Sequence, residues 1–256
     1  MTYENIVEGR FLSRPNRFTA VAELNGQTET VHVKNTGRCR ELLIPGARIL
    51  LQHHPDAQTR GRKTCYSLTA VYKGDRLVNI DSQAPNEEAA RWLREGGLEA
   101  GTGIRPEAVR REAVFGHSRF DLAFIAGGRP AFMEVKGVTL ERDGVALFPD
   151  APTGRGVKHL EELAAAAGQG YLAFLLFVIQ MKGVRRFCPN AETDPAFAGA
   201  LAEAAGRGVR ILAYDCLVRE NGFVLDQPVP AEVAPGREMC YNAAIFKERT
   251  PQECEG

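Results

Sequence analysis

The sequence predicts an α/β protein in which a small N-terminal β-barrel precedes an α/β domain with a mixed sheet. Up to about residue 81 the chain consists of short apolar runs broken by turn residues, with no helical period. Beyond that point strand-like and helix-like runs alternate. A nearly uninterrupted apolar run over residues 171–180 is typical of a strand buried on both faces, which places it in the middle of a sheet.

The composition is that of a soluble globular protein. The 256 residues are 44% hydrophobic and 25% charged, which leaves room for two modest domains. No apolar run reaches the length of a membrane span, and no signal peptide is recognisable, so we expect no membrane partner. The six cysteines are dispersed without metal-ligand spacing, which predicts reduced thiols and favours a cytoplasmic protein.

The charges balance over the whole chain but not along it. Lys and Arg number 32, as do Asp and Glu, so the net charge is no sign of a nucleic-acid partner. Residues 1–82 nevertheless hold 12 basic against 8 acidic side chains, so the N-terminal part is the basic one. An excess of this size is also common in proteins that never bind DNA.

Short strands separated by turns predict the barrel. The Asn25-Gly26 pair is typical of a tight hairpin turn. Five or six strands of this kind make an OB-like barrel the leading candidate, although the fold alone does not establish nucleic-acid binding. The predicted strands cover residues 6–12, 17–24, 29–34, 47–53, 65–72 and 76–80.

Three basic stretches of the barrel are candidates for contact with nucleic acid. Guanidinium groups bind phosphate oxygens, and aromatic rings between them can stack on bases. The ordinary alternative for each side chain is a solvated loop charge, and for residues 60–63 the two interpretations are evenly balanced. The candidates are Arg10, Arg14 and Arg17 around the first bend, Arg38 after the third strand, and Arg60, Arg62 and Lys63 in a loop.

The α/β domain is predicted from the order of its helical and apolar runs. A helix over residues 86–97 has Asn86 as its candidate N-cap, and a short strand over residues 112–115 follows it. Beyond residue 230 the periodicity is lost. The predicted domains are therefore residues 1–82 for the barrel, 83–230 for the α/β domain and 231–256 for a C-terminal tail. The other predicted elements are hairpins over residues 118–136 and 138–148, helices over 157–168 and 195–208, and strands over 171–180 and 209–214.

The hairpin over residues 118–136 carries charges where a buried strand would ordinarily carry aliphatic side chains. Asp121 lies on its first strand, while Glu134 and Lys136, two residues apart, share one face of the second. With a turn at Gly127-Gly128, Asp121 and Glu134 fall opposite one another and repel. A divalent metal such as Mg²⁺ would compensate them, and Lys136 could then hold or deprotonate a water or neutralise charge on a phosphate. The alternative is a solvated strand with one ion pair, which the apolar neighbours disfavour.

The loop over residues 148–159 has an unusual polar content for a simple connection. It carries Asp150, Thr153, Arg155, Lys158 and His159 at the start of a helix, and functional residues concentrate on such loops. Lys158, His159 and the first amides of the helix could together bind a phosphate. A helix cap with surface cations is an equally good interpretation.

These motifs identify the chain as similar to the sugar fermentation stimulation protein A (SfsA) family over residues 5–230. The resemblance implies an OB-like domain followed by a domain resembling PD-(D/E)xK nucleases, DNA binding and, in bacteria, a role in the expression of sugar-utilisation genes. The motifs are Asn35-Thr36-Gly37, Pro45-Gly46, Ser118-Arg119-Phe120-Asp121, Met133-Glu134-Val135-Lys136-Gly137-Val138-Thr139-Leu140, Phe148-Pro149-Asp150-Ala151, Thr153, Arg155-Gly156, Lys158-His159-Leu160 and residues 208–214.

Carried over residue by residue, the resemblance matches Asp121, Glu134 and Lys136 to the nuclease-like catalytic triad. The implied metal ligands are Asp121 and Glu134 for Mg²⁺ or Mn²⁺, with Glu112 as a further acid and Glu87 and Glu88 as weaker alternatives. Arg119, Arg155, Lys158 and His159 would hold the DNA backbone.

Two functions remain open at this stage. The first is a DNA-binding protein whose metal site hydrolyses phosphodiester bonds, and the second is a non-catalytic regulator that keeps the nuclease geometry without using it. A protein-interaction module on the same scaffold is a third, less specific possibility. The sequence does not decide between double- and single-stranded DNA, and it leaves a homodimer open.

Overall fold

The structure is a computed structural model that describes residues 1–35, 37–116, 118–234 and 237–239. The N-terminal third forms the predicted barrel from five strands, β1 to β5, and adds a short sixth strand, β6. All six lie within two residues of their predicted starts or ends. Their bounds are β1 Ile6–Ser13, β2 Thr19–Leu24, β3 Gln27–Val33, β4 Arg48–His53, β5 Tyr66–Lys73 and β6 Arg76–Asn79.

The strands close into a barrel through a parallel contact. Strand β1 lies between β2 and β4, and β3 and β5 continue the sheet on either side. β3 then pairs with β5 in parallel, with His32 opposite Ser67 and Val33 opposite Leu68. This closure leaves no free edge between β3 and β5 and confirms the predicted OB-like fold.

The α/β domain follows directly after β6. Its elements are α1 Ala84–Arg94, α2 Gly97–Thr102, β7 Pro106–Phe115, β8 Ser118–Ala126, β9 Arg129–Val138, β10 Leu140–Arg142, β11 Val145–Phe148, α3 Gly154–Gly168, β12 Leu172–Ile179, β13 Arg186–Pro189, α4 Pro195–Gly206, β14 Arg210–Arg219, β15 Gly222–Pro228, β16 Ala231–Ala234 and β17 Arg237–Met239.

A six-stranded mixed sheet forms the centre of this domain, in the order β15-β14-β12-β9-β8-β7. The middle strand, β12, pairs in parallel with β9 and β14, and all eight of its residues are buried. Phe174 packs on one face with α1 and α2, whereas Phe177 packs on the other with α3 and α4. The predicted mixed sheet between helices is therefore confirmed.

A smaller sheet, β10-β11-β13-β16-β17, accounts for part of the predicted tail. Strand β16 runs parallel to β13, with Ala231 opposite Phe187. Residues 231–234 and 237–239 are thus integrated into the fold instead of forming the beginning of a tail, and Ala231 and Val233 bury their side chains in the core. Residues 240–256 of the predicted tail lie outside the described residues.

Several other elements differ from the sequence predictions, among them α2 and β13, which were not predicted. Helix α1 starts at Ala84 after Gln83, so Asn86 lies inside the helix and is not its N-cap. Strand β7 is ten residues long, whereas the sequence predicted a strand only over residues 112–115. It is an edge strand, and its mostly exposed side chains show no apolar alternation that would reveal its start. Strand β15, which completes the other edge of the sheet, was not predicted.

Buried polar contacts join the two domains. Glu141 on β10 is 7% exposed and forms ion pairs with Lys73 of β5 at 2.6 Å and Arg76 of β6 at 3.0 Å. Burial would raise the pKa of Glu141, but the hydrogen bonds from Lys73 and the Gly144 amide lower it. In the described part of the chain, no helix is long and apolar enough to cross a membrane.

Candidate metal centre and nucleic-acid surface

The β8–β9 hairpin brings Asp121 and Glu134 to the same end of two adjacent strands. Leu122 lies opposite Met133, so Asp121, one residue before Leu122, lies opposite Glu134, one residue after Met133. The Asp121 carboxylate accepts a hydrogen bond from the Val135 amide at 2.9 Å. Its second oxygen accepts a hydrogen bond from Asn86 Nδ2 of α1 at 2.6 Å. Asp121 is therefore held by both a strand and a helix.

The Glu134 carboxylate lies deeper and is only 2% exposed. Its Oε1 accepts hydrogen bonds from Lys136 Nζ at 2.7 Å and from His159 Nδ1. Its Oε2 is buried and has no hydrogen-bond partner among the described residues. An unsatisfied buried carboxylate oxygen is costly, so this atom is a candidate ligand for a cation or a water.

The two carboxyl groups have opposite pKa shifts. Burial, together with the charge of Glu134, raises the pKa of Asp121 to about 6. Burial would also raise the pKa of Glu134, but the hydrogen bond from His159 and the charge of Lys136 outweigh it and lower that pKa. Near neutral pH both groups are anionic and repel each other, which is the electrostatic setting that a divalent cation relieves.

His159, a predicted DNA contact, belongs to this cluster. It lies on the second turn of α3, whose N-cap Thr153 accepts a hydrogen bond from the Gly156 amide at 3.0 Å. While Nδ1 bonds to Glu134, Nε2 accepts a hydrogen bond from Arg155 Nε at 3.3 Å. The neutral tautomer with its proton on Nδ1 satisfies both contacts. In this structure His159 therefore orients Glu134.

The expected third acid does not join the pair. Glu112 lies on the edge strand β7 with a φ of 55°, between the Arg111–Leu122 and Ala113–Phe120 pairs, and its exposed carboxylate contacts Arg119 at 3.4 Å. Glu88 is buried but already bonds to the Met1 ammonium group, Arg91 and the Leu225 amide. Glu87 is exposed on α1. Among the described residues, no group of three or more His, Cys, Asp and Glu side chains could hold a metal.

The residues present nevertheless fit a hard divalent cation with few protein ligands. Mg²⁺ binds through one or two carboxylates and retains several waters, so a third acid is not required. The unpartnered Glu134 Oε2 and the repulsion between the two carboxylates are the observations that favour such an ion. Lys136, at the rim of the cluster, is half-buried and lies 3.2 Å from His159 Nδ1.

The basic candidates of the barrel divide into exposed and engaged side chains. Arg14 donates to the carbonyls of Asn35, Gly37, Arg38 and Arg17, and so holds the β3–β4 loop in place. Arg62 donates to Ser67 Oγ at 2.9 Å and is half-buried. The exposed candidates are Arg10, which also reaches the Gly46 carbonyl at 3.3 Å, Arg17, Arg38, Arg60, which pairs with Asp56, and Lys63.

Three basic candidates of the α/β domain lie around the carboxylates in sequence but have different partners. Arg119 is exposed and pairs with Glu112, and Lys158 is exposed with Glu162 at 3.6 Å. Arg155 contacts the imidazole of His159. Arg119 lies two residues before Asp121, and Arg155 contacts His159. These two cations are therefore better placed than Lys158 to meet a bound anion.

Comparison with known proteins identifies the family. The SfsA N-terminal OB domain matches residues 12–80, and the sugar fermentation stimulation protein RE domain matches residues 83–222. The sugar fermentation stimulation protein homolog of Desulfitobacterium hafniense strain Y51 is 51% identical over 236 residues, which cover 92% of this chain and 100% of that relative. The homolog of Alkaliphilus oremlandii is 50% identical over 90% of this chain and 97% of its own.

A solved structure agrees with these matches. The structure of Pyrococcus furiosus SfsA in complex with Ca²⁺ superposes with a TM-score of 0.80 at 27% identity, and the alignment covers 91% of this chain and 98% of that one. Both domains and their order are thus shared with a known member. The chain belongs to the sugar fermentation stimulation protein family.

Proposed function

We propose that this protein binds DNA across its two domains and holds a divalent cation at Asp121 and Glu134. Residues 1–82 would form the main nucleic-acid-binding unit, and residues 83–230 the nuclease-like unit. The observation that carries the proposal is the buried, unpartnered Glu134 Oε2 beside a second carboxylate whose pKa is raised. The Ca²⁺ complex of the P. furiosus relative supports it, since Ca²⁺, Mg²⁺ and Mn²⁺ all prefer oxygen ligands.

Asp121, Glu134 and the Val135 carbonyl are the groups that would hold Mg²⁺ or Mn²⁺. When bound, such an ion supplies Lewis acidity toward a phosphodiester and lowers the pKa of water. Asn86 and the Val135 amide keep Asp121 in position, and His159 does the same for Glu134. Lys136 carries the positive charge that would offset negative charge developing on a phosphate.

The barrel supports DNA binding through the position of its cations. OB-folds bind nucleic acid with the loops after their first and fourth strands. In this chain those loops contain Arg17 in the first case, and Arg60, Arg62 and Lys63 in the second. The exposed members are free to contact phosphate, whereas the partly engaged Arg62 is better suited to stabilise its loop.

The test is degradation of DNA by purified protein with Mg²⁺ or Mn²⁺, compared with Glu134→Gln. We expect the wild type to cleave plasmid or single-stranded DNA, and the variant, which keeps the size of the side chain but not its charge, to lose cleavage and ion binding together. The exposed Glu192→Gln serves as the matched control. Wild-type protein that binds no Mn²⁺ and cleaves none of these substrates would contradict the metal site.

A non-catalytic regulator is the second candidate, and a specific observation favours it. Lys136 and His159 already satisfy one oxygen of Glu134, and the predicted third acid, Glu112, is turned to Arg119. A pair of carboxylates neutralised in this way could serve only to shape the DNA-binding surface. This alternative predicts that Glu134→Gln leaves DNA affinity and its salt dependence unchanged while no cleavage is detectable in either protein.

A further inference from the structure

A polar cavity of about 160 Å³ lies where the barrel meets the α/β domain. From the barrel side it is lined by Asn35 and Ser82, and from the domain side by Val138, Phe148, Asp150 and Gln180. Several of these residues belong to the motifs that the sequence singled out, yet the carboxylate cluster uses none of them. The cavity is therefore a feature without an assigned role.

Gln180 gives the cavity a buried acceptor. The side chain is 1% exposed, and its Nε2 donates to Asn79 Oδ1 at 2.9 Å and to the Asp81 carbonyl at 3.1 Å. No described residue donates a hydrogen bond to its Oε1. This oxygen lies 2.5 Å from where a Cβ on Gly137 would be, and Gly137 also lines the cavity. The absence of a side chain at residue 137 thus keeps the amide oxygen accessible.

A second acceptor lies across the cavity. The exposed Asp150 carboxylate is 2.6 Å from where a Cβ on Gly37 would be, so the β3–β4 loop of the barrel and the loop before α3 approach closely only because Gly37 has no side chain. Phe148 and Val138 add apolar wall surface. Two oxygen acceptors in a mainly polar cavity with some apolar wall match a flat heterocycle that carries N–H donors.

The size and the position of the cavity restrict the ligand further. Its volume is below the roughly 300 Å³ at which pockets for drug-sized ligands begin, so it suits a single ring system. Gly137 directly follows Lys136 on β9, and a strand advances about 3.3 Å per residue. The cavity therefore adjoins β9 next to the carboxylate cluster, although Gly137 and Lys136 face opposite sides of the sheet.

We propose that this cavity holds one unstacked nucleobase with an exocyclic amino group, adenine or cytosine, of a nucleic acid bound to the protein. The amino group donates to Gln180 Oε1 and to the Asp150 carboxylate, while Phe148 and Val138 cover the ring. Proteins that read a single base take it out of the stack into a pocket of this kind. The inference rests on the proposed DNA binding, and it adds a base preference that the metal site does not require.

The test compares oligodeoxycytidine with oligodeoxyuridine in fluorescence anisotropy with chelator present, so that no cleavage interferes. The two probes share a backbone and a pyrimidine ring, and cytosine carries the amino group where uracil carries an acceptor. We expect about tenfold tighter binding of oligodeoxycytidine, the discrimination of one good base contact. Asp150→Asn, whose amide can serve either base, and Ser82→Trp, which fills the cavity, should each reduce this ratio to about one.

Both substituted side chains are exposed, so folding should survive, and circular dichroism checks it. Asp143→Asn, an exposed turn residue with a φ of 50° that Asn tolerates, is the matched control and should keep the preference. Equal binding of both probes by the wild type would overturn the base pocket while leaving DNA binding intact. If neither probe binds, nor any longer DNA, the proposed function itself fails.

Discussion

Asn86 donates a hydrogen bond of 2.6 Å from its side-chain amide to Asp121 Oδ1, joining the first helix of the α/β domain to the first strand of its charged hairpin. The Val135 amide bonds to the other carboxylate oxygen and lowers the pKa that burial raises. Asn86 fixes the oxygen that this amide does not contact. Asn86 is therefore a positioning residue for the carboxylate pair.

Asn86→Ala should weaken divalent-ion binding by about 10- to 100-fold, the usual effect of removing a partner that orients a ligand. Titration with Mn²⁺, followed by electron paramagnetic resonance of the free ion, measures this directly. The exposed neighbour Glu87→Ala is the control on the same helical turn. Equal ion affinity in both variants would show that Asp121 needs no support from the helix.

Asp121→Asn should stabilise the ion-free protein at neutral pH. A carboxyl whose folded pKa is raised to about 6 contributes stability that is fully present below its unfolded pKa, near 4, and lost as the pH rises through about 6. The variant does not suffer this loss, so it should exceed the wild type by roughly 2 kcal/mol at pH 7 and by nothing at pH 4. Urea unfolding with chelator across this pH range is the measurement. A difference that does not change with pH would refute the raised pKa.

Arg14→Ala should destabilise the barrel more than any other single change among its candidate DNA contacts. Its guanidinium bonds to four backbone carbonyls, and hydrogen bonds from a charged group contribute about 1.5–3 kcal/mol each. Because these contributions overlap, we expect a total loss of roughly 3 kcal/mol and a melting temperature lower by about 5–10 °C. Arg10→Ala, which removes one long bond, is the control. Equal melting temperatures would contradict the structural role.

The double variant Arg60→Ala/Lys63→Ala should weaken DNA binding without affecting stability. Each phosphate contact that is lost lowers the slope of log affinity against log salt by about one, so the slope should fall by about two. Anisotropy titrations over a series of salt concentrations give this slope. Arg207→Ala, which removes an exposed cation directly after α4, should leave the slope unchanged. A slope unaltered in the double variant would exclude this loop from the interface.

The hairpin of the α/β domain could be predicted because two independent patterns agree on it. Alternating apolar residues fix the faces of β8 and β9, and the Gly-Gly turn fixes their register, which together bring Asp121 near Glu134. The roles of Asn86, Arg14 and His159 could not be predicted. Each depends on a partner far away in sequence, and a polar residue in a one-dimensional pattern does not reveal which distant atom it will bond.

The outer strands of the two sheets in the α/β domain were the least predictable parts of the fold. An edge strand such as β7 buries little, so its charged residues carry no period that separates it from a loop. Strand β16 is held by parallel pairing to β13, which lies more than forty residues earlier in the chain. Such pairing depends on the finished core, and the four residues of β16 are too few to indicate it alone.

The burial of Glu141 between Lys73 and Arg76 limits how far the barrel can move relative to the α/β domain. Moving the barrel away from the α/β domain would break these ion pairs and expose the apolar side chains that both parts bury in one core cluster. This interface favours a fixed arrangement of the barrel and the α/β domain. On the proposed function, a nucleic acid that contacts both domains would then have to adjust its own shape to them.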